Sequence, residues 1–173
     1  MSDIFQRWYT DRFETRETEV ALDGTARQYT IDGSEGYDPQ SFMREVKSQV
    51  VDLLNRNRQS KVYLVLMCVM EKVDMQTGEV ITANPVFSSI TETIVNATDV
   101  NEVHNAAVDK MMESMACFQM CGSNWRFRSV VRLEINISAY KPLRGNTYIP
   151  LPKKLAVKKA IINPKNEDDQ SVF

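Results

Sequence analysis

Four groups of residues in this 173-residue chain have types and spacings that could do chemistry: the single histidine His104, the cysteines Cys68, Cys117 and Cys121, carboxylates such as Glu71, Glu92 and Glu134, and the lysines Lys153, Lys154, Lys158 and Lys159. His104 falls in a helical stretch, where a lone histidine reads as a surface or boundary residue rather than a catalytic base. Cys117 and Cys121 are four residues apart, so one helical face could offer two thiolates to a metal. Structural zinc sites close with four ligands, however, and show at least one tight turn-type pair. Here His104 is more than three turns away along the helix and Cys68 belongs to another element. The cysteines are therefore read as buried, reduced thiols, with no metal and no disulfide framework. The carboxylates could act as acid and base only if folding paired them with separated pKa values, and solvated sheet faces account for them better. No phosphate-binding glycine loop, nucleophile elbow, HExxH or kinase signature is present. The chain reads as non-catalytic and without a cofactor.

The lysines carry the remaining signal. Net charge is −2, but residues 1–60 hold 8 basic and 11 acidic side chains, residues 61–122 hold 3 and 8, and residues 123–173 hold 10 and 4. A basic carboxy-terminal third thus follows an acidic body, an asymmetry that suits either phosphates or an acidic partner. Tyr148 and Phe173 are the only aromatic residues near the lysine cluster. The same segment could equally dock on its own acidic domain.

The elements that position these residues follow from periodicity. Leu22-Asp23-Gly24-Thr25 separates two strand-like segments, 17–22 and 26–31, and Asp-Gly is a strong hairpin signal. Asp38 before Pro39 marks a helix start, and Phe42, Val46, Val50, Leu53 and Leu54 continue it to about residue 56. Val62 to Met70 is apolar at nearly every position, which predicts a central strand whose two faces both need cover. The candidates for the second face are an amino-terminal segment with Phe5, Trp8, Tyr9 and Phe13, the carboxy-terminal segment, or a second copy of the chain. Residues 80–95 form another extended arm, which Pro85 confines to a sheet edge or a bulge. Asp99 caps a second helix along which Val100, Val103, Ala107, Met111, Met115 and Phe118 form an apolar stripe, ending at Gly122. Strict alternation from Val131 to Tyr140 predicts a half-exposed strand.

Without the first arm of the hairpin, the order is strand, helix, strand, strand, helix, strand. This predicts an α+β, ferredoxin-like (split βαβ) domain, a four-stranded antiparallel sheet with two helices on one face. An extra amino-terminal hairpin completes the domain at residues 1–140. Residues 141–173 are expected as an extended basic arm, packed on or projecting from it, since Pro142, Pro150 and Pro152 disfavour a third long helix.

From Gly122 onward the residues carry a resemblance. Gly122, Ser123 and Trp125 open the last strand; Tyr140, Pro142, Leu143, Arg144 and Gly145 follow it; then come Tyr148, Ile149, Leu151 and Pro152, the run Lys158 to Asn163, and Asn166 to Asp168. This pattern, about 50 residues long, resembles the amino-terminal module of polinton-like and other virus-derived mobile-element proteins that carry a family-B DNA polymerase region. The resemblance implies a following cysteine-peptidase-like block. Here the corresponding place reads Ser171-Val172-Phe173, without the thiol or a downstream histidine.

The expectation is a non-catalytic binding module that contacts nucleic acid through Lys141, Arg144, Lys153, Lys154, Lys158 and Lys159, with Trp125, Tyr140 and Gly145 as structural motif residues. Gly145 is expected in a turn that needs positive φ. A protein-interaction or self-assembly module, with a protein partner or a second copy, is the alternative. A truncated fragment of a cysteine-peptidase-like protein is the other. The acidic body and the lack of an RNP1-like motif argue against the whole sheet serving as an RNA platform. No apolar run is long enough to cross a membrane and the charged amino terminus is unlike a signal peptide, so an intracellular setting, cytoplasmic or nuclear, is expected.

Overall fold

The computed structural model describes residues 13–120 and 124–140. The expectations for Phe5, Trp8, Tyr9, Cys121 and Gly122, and for all of 141–173, including Gly145 and the lysine cluster, lie outside the described residues. In chain order the elements are β1 (Thr15–Ala21), β2 (Ala26–Asp32), α1 (Pro39–Glu45), α2 (Lys47–Arg56), β3 (Ser60–Val73), β4 (Val80–Ala83), β5 (Val86–Ser88), β6 (Glu92–Ile94), α3 (Val100–Met120) and β7 (Arg126–Ala139).

The local signals act as chemistry dictates. Leu22, Asp23 and Gly24 take φ of 52°, 54° and 82°, and the Thr25 amide donates to the Leu22 carbonyl at 3.1 Å, closing the β1–β2 hairpin. The Asp38 side chain accepts from the Ser41 amide at 3.0 Å with Pro39 in the first helical turn. Hydrogen bonding to Ser41 holds the Asp38 carboxyl below its ordinary range. In α3, Asp99 accepts from the Asn101 amide at 2.8 Å. The single helix expected over 39–56 is two helices joined at Val46, whose amide is shared between the Phe42 and Arg44 carbonyls. No glycine or proline marks this joint; it coincides with complete burial of the Val46 side chain.

All described strands join one antiparallel sheet in the order β1-β2-β7-β3-β4, with β5 and β6 also on β3. β3 pairs with β7 from Ser60↔Ala139 to Glu71↔Arg126. Its other side holds β6, β5 and β4 in succession, the 80–95 arm broken into three pieces. Pro85 has no amide to donate, although its carbonyl still accepts from Cys68 at 3.1 Å. The fold is therefore α+β, but four strands and two helices do not describe it. Among the described residues the sheet has seven strands and three helices accompany it, because the hairpin adds β1, the edge arm fragments, and the first helical connection divides. By pairing, β2 and β3 run parallel with β7 between them, joined through α1 and α2.

One face of the sheet carries the core. Val62, Leu64, Leu66, Cys68 and Met70 of β3 and Leu133 and Ile135 of β7 pack with Phe42, Val46, Val50, Leu54 and Met111 from the helices. Phe13 belongs to this side as well: its ring meets Phe42 at 5.2 Å and Tyr37 at 5.5 Å, both edge-on. It does not cover the second face of β3, as the sequence suggested. Gly33 marks the tightest backbone approach, since a Cβ there would lie 2.1 Å from the Val130 carbonyl oxygen. Its amide donates to Val131 at 2.8 Å, beside the register shifts in β3–β7.

Candidate functional site on the open face of the sheet

Tyr63, Val65, Met67 and Val69 alternate with the buried residues of β3 and point to the opposite face. Among the described residues no helix covers that face. Its side chains are ordered in rows across the strands, about 4.8 Å apart. Glu19, Gln28, Asn136 and Tyr63 stand opposite one another on β1, β2, β7 and β3. The neighbouring row is Ala21, Ala26, Ser138 and Lys61. Short side chains in one row beside long ones in the next leave a hollow of about 290 Å³, with Gln28, Asn136 and Tyr63 on its wall. Tyr63 is 41% exposed.

The two ends of this face differ in charge. Towards the end of β2, Arg16 pairs with Asp32, and Arg132 Nε donates to Glu134 Oε1 at 2.7 Å, so the charges there are mutually satisfied. At the other end the Lys61 ammonium lies 5.5 Å from the Tyr140 ring centroid, a cation–π contact that leaves its charge available. The Tyr140 amide donates to the Gln59 carbonyl at 2.8 Å, fixing where β7 ends.

Trp125, the other motif residue within the described residues, is at the far end of β7, separated from Tyr140 by a strand about 45 Å long. Its ring is 6.1 Å from Phe118, which in turn meets Phe87 at 5.9 Å, and Lys72 Nζ lies 4.8 Å over it. Trp125 thus clamps the end of α3 to the sheet. The structure does not bring Trp125 and Tyr140 together.

The other chemical candidates fall as follows. Cys68 is buried, and burial pushes its thiol up to about 12, so it stays protonated and unreactive at neutral pH. Cys117 is exposed, contrary to the buried reading, because it stands off the apolar stripe of α3. His104 is 2% exposed rather than at the surface, four residues from Val100 on the buried side of the same helix. Among the described residues no group of three or more His, Cys, Asp or Glu side chains is placed to hold a metal ion. No described helix is long and apolar enough to cross a membrane.

Comparison with protein-family models, with curated proteins and with solved structures gave no match.

Sequence reasoning missed Gln28, Tyr63, Lys61 and Asn136 as a group. Tyr63 is hidden in an apolar run with Lys61 two residues before it on the same strand, and Gln28 and Asn136 lie 35 and 73 residues from it on other strands. Only the alternation of β7, which sets Asn136 opposite in phase to Ile135 and Ile137, signals part of the face.

Proposed function

We propose that the chain is a non-catalytic module that binds single-stranded nucleic acid, with bases entering the hollow on the open face and phosphates meeting Lys61, and with the basic residues of 141–173 as a separate phosphate-contacting segment. The observation that carries this reading is the row Gln28, Asn136 and Tyr63, with the Glu19 carboxylate at its β1 end, beside Lys61, which makes no ion pair among the described residues. A tyrosine ring stacks on any base at about 1–3 kcal/mol. Asn and Gln side chains present a donor and an acceptor to a base edge. The contact is local, one or two nucleotides, because towards the end of β2 the face is closed by the Arg16–Asp32 and Arg132–Glu134 ion pairs. This respects the objection that the acidic body is no general RNA platform. Charge supports the division of labour: residues 141–173 hold seven basic and three acidic side chains, against fourteen and twenty over 1–140. The resemblance of residues 122–168 to a module of virus-derived mobile-element proteins with a family-B polymerase region fits a role beside nucleic acid.

The test is binding of labelled single-stranded DNA and RNA, with duplexes alongside, across a salt series. The affinity is expected to fall linearly with log salt, and Lys153, Lys154, Lys158 and Lys159 changed together to Glu should flatten that slope. Tyr63→Ala should weaken binding about tenfold or more while leaving the slope unchanged. Absence of binding by the unaltered chain at low salt rejects the proposal.

A second reading, protein interaction or self-assembly, has one observation in its favour. Val73, Met75, Val80 and Ile81 are exposed together around the β3–β4 turn, Met75 at 88%. A concentration-dependent sedimentation coefficient that Val80→Lys abolishes would support it over the first.

A further inference from the structure

On the helical side, away from the open face, a cleft of about 390 Å³ lies between α1, the start of α2 and α3, lined by Gln40, Arg44, Lys47, His104, Asn105 and Asp109. His104 is 98% buried, yet neither ring nitrogen has a hydrogen-bond partner among the described residues. The Asn105 side chain and the Met43 backbone lie close enough to favour the protonated imidazole, yet neither completes a hydrogen bond to a ring nitrogen. A neutral imidazole has one donor and one acceptor, and the interior of a protein ordinarily satisfies both. Around it the charge is positive. Arg44 is exposed and makes no ion pair among the described residues, and Lys47 Nζ donates to Asn105 Oδ1 at 3.0 Å, bridging α2 to α3 beside the imidazole. Asp109 is the one carboxylate on the cleft.

We propose that this cleft binds a small oxyanion, a phosphate or carboxylate group, between Arg44 and Lys47, with Gln40 and the Asn105 amide as neutral donors and the His104 N–H completing the set. Two cations, one of them a planar fork, match the oxygens of such a group. The ligand draws Lys47 from Asn105 and frees the Asn105 side chain, which opens a path to the imidazole. The inference is independent of the open-face reading, because no residue is shared.

His104 is the only histidine in the sequence, so its ring resonances in the untagged full chain report on this cleft alone. The experiment follows those resonances while inorganic phosphate, and separately acetate, is added with ionic strength held constant by sodium chloride. A saturable shift is expected, at least about tenfold weaker in Arg44→Ala/Lys47→Ala. If that variant does not fold, the single exposed change Arg44→Ala takes its place. Asp109→Asn should tighten binding. Response to phosphate alone assigns a phosphoryl ligand, response to acetate as well assigns a carboxylate-tolerant one. Resonances that neither anion moves, or that move equally in the variants, overturn the proposal.

Discussion

The two faces of β3 are built from nearly the same kinds of residue and meet different fates. Val62, Leu64, Leu66, Cys68 and Met70 are at most 1% exposed. Tyr63, Val65, Met67 and Val69, interleaved with them, are half-buried or exposed. Apolar character alone therefore does not decide burial. Both helical connections return on the same side of the sheet, and among the described residues only that side acquires a second layer. The face left over keeps its apolar strand centre but is flanked by Gln28, Asn136 and ion-paired charges, so it is fit for contact rather than for a core.

This contrast can be broken most forcefully at adjacent positions. Leu66→Ala, on the helical side, should cost about 3 kcal/mol because it leaves a cavity in a closed core, whereas Met67→Ala next to it should cost under about 1 kcal/mol. Urea midpoints of the two variants check this; equal losses would mean that the far face is as tightly packed as the near one.

Acid should also act on the helical side only. Burial, with Lys47 nearby, holds the His104 imidazole below its ordinary pKa of 6.5. The folded protein keeps it neutral while the unfolded chain takes up a proton, so this contribution is complete above about pH 6.5 and is lost as pH falls from there towards the lowered folded value. Arg44, Lys47 and Asp109 also face the ring's cleft. The Asp38 cap weakens only lower, as pH falls through the ordinary carboxylate value of 3.8. A urea midpoint that drops between about pH 7.5 and about 5.5 in the parent chain should not drop in His104→Phe; an equal drop in both would assign the effect to other groups.

The smallest effect on stability belongs to the open face. Tyr63→Ala should change the unfolding free energy by about 0.5 kcal/mol or less, while carrying the binding loss stated above. A large destabilisation would show Tyr63 to be a packing residue and would remove the hollow's main stacking partner.

How much of this was legible before the fold was known varies with the range of the signal. The Asp23-Gly24 hairpin, the Asp38 cap with Pro39, the Asp99 cap and the alternating β7 were readable because each depends on residues within a few positions. The break at Pro85 was readable as an edge or bulge, though not as three separate strands. The joint at Val46 left no mark, since its cause is packing against other elements. His104 was misread because helical spacing places it near the apolar stripe, and only the neighbouring elements determine whether that margin is covered. Phe13, in one of the three candidates for cover of the second face, lies on the core side instead, because an aromatic residue advertises burial but not the side of the sheet on which it is buried.

Local backbone preference and periodicity, acting over short stretches, determined from the sequence alone the β1–β2 hairpin, the helical stretches that begin after Asp38 and Asp99, and the strands β3 and β7, with a basic third after an acidic body. Tertiary structure alone decided that Gln28, Asn136 and Tyr63 share a row and that, among the described residues, one face of β3 is core and the other open and His104 is enclosed without a hydrogen-bond partner. Those outcomes depend on which strands pair and on which side the helices return, and pairing between residues up to about a hundred positions apart is set by the joint burial of many side chains rather than by any one segment.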